Sequence, residues 1–108
     1  MKNNMEVLLI EDNPGDVRFI EEMLKDAKNI RIKITNSIRL DEALKLLDQE
    51  TFDMVLLDLG LPDCQGLETY RQVNSHAKKF PVVILTGLAD EDVALKAIQE
   101  GAQKYIVK

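Results

Sequence analysis

Three runs of consecutive apolar residues constrain the fold of this chain more than any other feature: Val7-Leu8-Leu9-Ile10, Met54-Val55-Leu56-Leu57 and Val82-Val83-Ile84-Leu85. Each is too short for a core helix and shows no polar alternation. Such runs read as strands buried on both faces, which occur in parallel sheets covered by helices on each side. The intervening segments carry the complementary signal. Asn13 is placed to cap a helix with Pro14 in its first position, and Val17, Ile20, Leu24 and Ala27 follow on one face. Leu40, Ala43, Leu44 and Leu47 predict a second helix, and Leu67, Tyr70 and Val73 a third after Gly66. Val93, Ala94, Ala97 and Ile98 predict a fourth, closed by Gly101. Ile30, Ile32 and Ile34 alternate with Arg31 and Lys33, a period-two strand whose basic residues suit a sheet edge. Tyr105-Ile106-Val107 predicts a short last strand. The predicted order is (βα)4β, an α/β fold with a doubly wound parallel sheet. In such sheets the ligand site lies outside the carboxyl ends of the strands, at the switch point of strand order.

Size and charge narrow the function. The 108 residues, 45% of them apolar, suffice for one domain spanning 1–108 with a real core. A net charge of −5 argues against nucleic acid as a direct ligand, because binding a phosphate backbone needs a basic face. No apolar run approaches the roughly 20 residues of a membrane span, and no signal-peptide stretch follows Met1; a cytoplasmic location is expected. The single cysteine, Cys64, cannot form an internal disulfide. His76, the only histidine, falls late in the third predicted helix and is expected at the surface. The acids at Asp90-Glu91-Asp92 and Glu21-Glu22 read as helix-start or solvated charges.

The chemistry lies where the strands stop. The first apolar run ends at Glu11-Asp12 and the central one at Asp58. If those strands are neighbours, three carboxylates meet at one rim and repel each other unless a cation sits between them. The expectation is a divalent-metal site, and with it phosphate chemistry. Thr86 and Lys108 end two further strands.

These residues, in this order, resemble the receiver domain of two-component response regulators, of the chemotaxis-response-regulator kind. The resemblance covers essentially the whole chain. It rests on Glu11-Asp12, on Asp58 followed by Leu61-Pro62 and Gly66, on Thr86-Gly87, and on Gly101-Ala102 leading to Tyr105 and Lys108. It implies a flavodoxin-like sheet of order 2-1-3-4-5. It implies Asp58 as acceptor of a phosphoryl group from a phosphohistidine, and Mg²⁺ (or Mn²⁺) held by Glu11, Asp12, Asp58 and the backbone carbonyl of Gly60. Lys108 is then the lysine that pairs with the phosphoryl group, and Thr86 the hydroxyl that turns in toward it. Tyr105 is the aromatic that follows Thr86. The implied partners are a sensor histidine kinase or phosphotransfer protein upstream, and an output domain or protein downstream. Asp63 and Pro62 are expected only to shape the loop after the acceptor.

Two other readings remain. One is a degenerate receiver used only for protein contacts, against which the acids, Thr86 and Lys108 all speak. The other is a Mg²⁺-dependent phosphatase with an aspartyl nucleophile. Such enzymes usually carry a second acid two residues on, where this chain has Gly60. Gly60 and Leu88 offer no group to orient a hydrolytic water, so slow self-dephosphorylation is expected. Receivers normally add a fifth helix after the last strand, and this C-terminal helix is absent before Lys108. The expected consequence is a bare apolar sheet face of roughly 300–400 Å², covered by further chain or by a homodimer. Lys108, as the last residue, is expected to fray.

Overall fold

In the computed structural model, residues 4–27, 29–77 and 79–108 are described. Five parallel strands form one sheet of order β2-β1-β3-β4-β5. They are β1 (Asn4–Ile10), β2 (Arg31–Ser37), β3 (Met54–Asp58), β4 (Val82–Thr86) and β5 (Lys104–Val107). The crossovers are α1 (Pro14–Lys25), α2 (Leu40–Gln49), α3 (Leu67–His76) and α4 (Glu91–Gln99). A 3-10 turn, Leu88–Asp90, precedes α4 and is not visible in the apolar pattern. The predicted alternation, sheet class and strand order are therefore all present, and β2 with its Arg31 and Lys33 lies at an edge.

Two apolar layers sandwich the sheet. On one side Leu8, Ile10, Val55, Leu57 and Ile84 meet α2, α3 and α4 through residues such as Ala43, Tyr70 and Ala97. On the other, Val7, Leu9, Leu56, Val83 and Leu85 meet α1 through Ile20, Val17 and Leu24. This second layer corrects the expectation of a bare sheet face. Leu56, Val83 and Leu85 are only 2%, 4% and 0% exposed. On this side Met54 and Ile106 of the sheet stay half-buried, and Phe19 and Met23 of α1 are exposed.

Two element boundaries also differ. Helix α1 stops at Lys25, before the predicted Ala27, and Ile30 is exposed ahead of β2. The reversal between them uses Asn29 at φ 67°, a left-handed turn that neither a helix nor a strand accommodates. Among the described residues no helix is long and apolar enough to cross a membrane.

Candidate functional site

Strand register brings the acids together. Ile10 pairs with Leu57 across β1 and β3, so the next residues, Glu11 and Asp58, stand side by side at the carboxyl ends of the two strands. The backbone of Glu11 is fixed by its neighbour strand: its N–H donates to the Ser37 carbonyl (3.0 Å), and the Asn36 amide donates to its carbonyl (3.2 Å). The same Asn36 amide donates to the Leu9 carbonyl (2.9 Å). Asn36 thus pins the end of β1, a role that no local sequence signal announces.

The Lys108 ammonium sits at the centre of the cluster. It donates to Glu11 Oε2 (3.0 Å), Asp58 Oδ2 (3.0 Å) and Asp16 Oδ2 (2.9 Å). Its backbone N–H donates to the Thr86 carbonyl (2.7 Å), continuing the β4–β5 ladder. The expected fraying is thus replaced by a fully engaged side chain, because a charge facing three carboxylates has nowhere better to go. The second oxygens of Glu11 and Asp58 are also held. Glu11 Oε1 accepts from the Asn13 N–H (3.1 Å), and Asp58 Oδ1 accepts from the Gly60 N–H (2.9 Å).

Burial and charge push these groups apart in acidity. Glu11 is fully enclosed, and that burial, reinforced by the neighbouring Asp58, pushes its carboxyl up to about 7 despite Lys108 and the Asn13 amide. Burial also acts to raise Asp58, but hydrogen bonding from Glu11, the Gly60 amide and Lys108 outweighs it and holds Asp58 below the usual carboxylate range. For Lys108, burial works to lower the ammonium, and Asp16, Glu11 and Asp58 more than reverse it. Of the pair Glu11–Asp58, Asp58 is therefore the stronger acid.

Carboxylate oxygens of Glu11, Asp16 and Asp58 lie within 4.8 Å of one another, a hard-oxygen donor set that suits a divalent cation. Asp12 is half-buried at the same strand end but lies outside that group of three, whereas Asp16, not anticipated from the sequence, lies inside it. Asp16 occupies the first turn of α1, where its N–H is capped by Asn13 Oδ1 (3.0 Å). Its position one helical turn after the strand end was the available signal.

A cleft of about 380 Å³ opens beside Asp58, lined by Gly60, Gln65, Thr86, Gly87, Asp90 and Lys108 among others. Thr86 is buried, and its hydroxyl donates to its neighbour's carbonyl on Gly87 (3.1 Å). Tyr105 donates its phenol to Glu91 Oε2 on the first residue of α4 (2.8 Å). The loop from Asp58 to Gly66 closes on itself. Leu61 N–H donates to the Cys64 carbonyl (3.1 Å) and Gly66 N–H to the Leu59 carbonyl (2.7 Å). Gly66 has φ 77°, a conformation that only glycine adopts freely. Asp63 does more than shape this loop. Its two oxygens accept from the Leu40 and Asp41 N–H groups (2.9 and 3.0 Å), capping α2 where Arg39 supplies no side-chain cap. His76 ends α3 and contacts Asp48 Oδ1 (2.7 Å), away from this rim.

Comparison with known proteins identifies the family. Residues 7–108 match the response regulator receiver domain family. The chain belongs to that family. Among relatives, it is 35% identical over 104 residues to the cell cycle response regulator CtrA of Brucella ovis, covering 96% of this chain and 44% of that protein. The chain thus spans less than half the length of this curated relative. Among solved structures, it resembles the receiver domain of sensor histidine kinase PA1611 from Pseudomonas aeruginosa, which has a magnesium ion coordinated in its active-site cleft. The TM-score is 0.79 at 27% identity, covering 97% of this chain and 85% of that one. The phosphorylated cyanobacterial phytochrome response regulator RcpA gives a TM-score of 0.82 at 30% identity, covering 97% and 81%. The receiver family and its fold, expected from the sequence, are thereby established.

Proposed function

We propose that this receiver domain accepts a phosphoryl group on Asp58 and switches a protein-binding surface in response. The observation that carries the reading is the convergence of Glu11, Asp58 and Lys108 on one contact at the carboxyl ends of β1, β3 and β5. An Asp58 carboxylate oxygen forms a bond to phosphorus as the phosphorus–nitrogen bond of a phosphohistidine breaks. The electron pair goes to the imidazole nitrogen, and a mixed anhydride remains on Asp58. The donor is a histidine kinase or phosphotransfer protein. A divalent cation, Mg²⁺ or Mn²⁺, held by Glu11, Asp12, Asp58 and the Gly60 carbonyl would neutralise charge on the phosphoryl oxygens.

The chain's own residues do the rest. The Gly60 N–H fixes the Asp58 carboxylate so that it presents one orientation to the cleft. Lys108 moves from the carboxylates to a phosphoryl oxygen. Thr86 gives up its hydrogen bond to the Gly87 carbonyl and turns toward the new oxygens, pulling the β4–α4 loop with it. That movement reaches Tyr105 through Glu91, and the surface of α4 and β5 changes for an output domain or protein to read. The output is binding, and the only chemistry the domain performs is on its own Asp58.

The test is intact mass after incubation with Mg²⁺ and acetyl phosphate, for the wild type beside Asp58→Asn. One phosphoryl adduct in the wild type alone is expected. An adduct on both chains, or on neither, refutes the assignment.

A further inference from the structure

We propose that Asp16 is a positioning residue of this site: it holds the Lys108 ammonium when a divalent cation takes Glu11 and Asp58. The inference rests on the metal reading above. An ammonium has three N–H donors, and those of Lys108 are all engaged, by Glu11, Asp16 and Asp58 at 3.0, 2.9 and 3.0 Å. A cation at the strand ends competes for the first and third of these carboxylates. The lysine then either loses its place or keeps the remaining partner.

Asp16 is built to be that partner. Its backbone belongs to the first turn of α1 and not to a strand end, and it is pinned there by the Asn13 cap. Its side chain is 35% exposed, against 0% for Glu11 and 14% for Asp58, so it is the most solvent-accessible of the three carboxylates. An ammonium parked there stays beside the cleft without occupying the oxygens that the cation and the phosphoryl group need. If Asp16 were itself a ligand, the cation would instead strip Lys108 of all three partners.

The two possibilities separate in the ¹⁵Nζ spectrum of the lysine ammonium groups during a Mg²⁺ titration, with Lys108 assigned by the signal missing from Lys108→Arg. An ammonium held by carboxylates exchanges its protons slowly and gives a signal; a released one does not. The Lys108 signal should shift but persist at saturating Mg²⁺ in the wild type. In Asp16→Asn it should be present without Mg²⁺ and vanish with it, and Asp16→Glu should restore it. Loss of the signal in the wild type on Mg²⁺ addition, or its persistence in Mg²⁺-saturated Asp16→Asn, overturns the assignment of Asp16 alone. A wild-type chain whose spectrum does not respond to Mg²⁺ at all overturns the metal reading beneath it.

Discussion

Replacing Asp63 with alanine tests how the loop after Asp58 is tied to the rest of the domain. The two oxygens of Asp63 accept the N–H groups of the first two residues of α2, Leu40 and Asp41, at 2.9 and 3.0 Å. Arg39, at the N-cap position, offers no side-chain cap, so both donors lose their protein partner in Asp63→Ala. Loss of a helix cap costs about 0.5–2 kcal/mol, and a carboxylate at a helix N-terminus contributes about 0.3–1 kcal/mol beyond that. The carboxylate is partly solvated, which argues for the lower half of the sum, roughly 1–1.5 kcal/mol. In a domain of this size that corresponds to a fall of about 5–10 °C in Tm. The effect has a pH signature. Burial tends to raise the Asp63 carboxyl, but the Leu40 and Asp41 amides outweigh it and hold it below the ordinary range. A depressed carboxyl stabilises the fold above its unfolded value and loses that contribution as pH falls through the folded value. The gap between wild type and Asp63→Ala should therefore be full at neutral pH and close in acid. Urea denaturation followed by far-UV circular dichroism, at neutral and acid pH, measures both. A variant as stable as the wild type at pH 7, or a gap that widens in acid, refutes the reasoning. So does a loss no larger than that of Arg39→Ala, whose exposed ion pairs should contribute little.

Further predictions concern the site. Glu11→Gln replaces a buried acid, whose carboxyl is pushed up to about 7, by its neutral isostere. It should fold at pH 6 with little loss while binding Mg²⁺ more than about tenfold more weakly by calorimetry; wild-type-like binding would contradict the role of Glu11. Because a cation must displace the Glu11 proton, wild-type Mg²⁺ affinity should fall as pH drops through about 7 and level off above it. A pH-independent affinity between 6 and 8 would count against a Glu11 carboxyl raised by burial. Thr86→Ala should still be phosphorylated on Asp58 but lose phosphorylation-dependent partner binding; full retention of that dependence contradicts the switch. Leu88 is 78% exposed at the head of the β4–α4 loop and supplies no polar group, so Leu88→Glu should speed loss of the phosphoryl group from a slow wild-type rate. A fast wild-type loss, unchanged in the variant, contradicts this.

What was legible in the sequence was whatever local pattern determines. Apolar runs of four give the buried strands, spacings of three and four give the helices, and a strand that stops at Glu11 or Asp58 places that acid at the rim. The contributions that escaped are all long-range. Asp63 caps a helix that starts 23 residues earlier in the chain, and Asn36 closes the end of a strand 25 and 27 residues away. Asp16 reaches a lysine 92 residues on. None of these partners can be paired without the fold. The expectation of a bare sheet face failed for a related reason. It counted the helices over the sheet, whereas the burial of Leu56, Val83 and Leu85 depends on how α1 packs.

The central claim is that Asp58 carries the phosphoryl group, and borohydride trapping tests it most directly. Hydride reduces an aspartyl phosphate to homoserine and leaves a free aspartate untouched. After phosphorylation by acetyl phosphate or a phosphorylated histidine kinase in Mg²⁺, peptide mass spectrometry should find homoserine at position 58 and nowhere else. Homoserine at Asp12, Asp16 or Asp63, or none despite a phosphoryl adduct on the intact chain, would contradict the account.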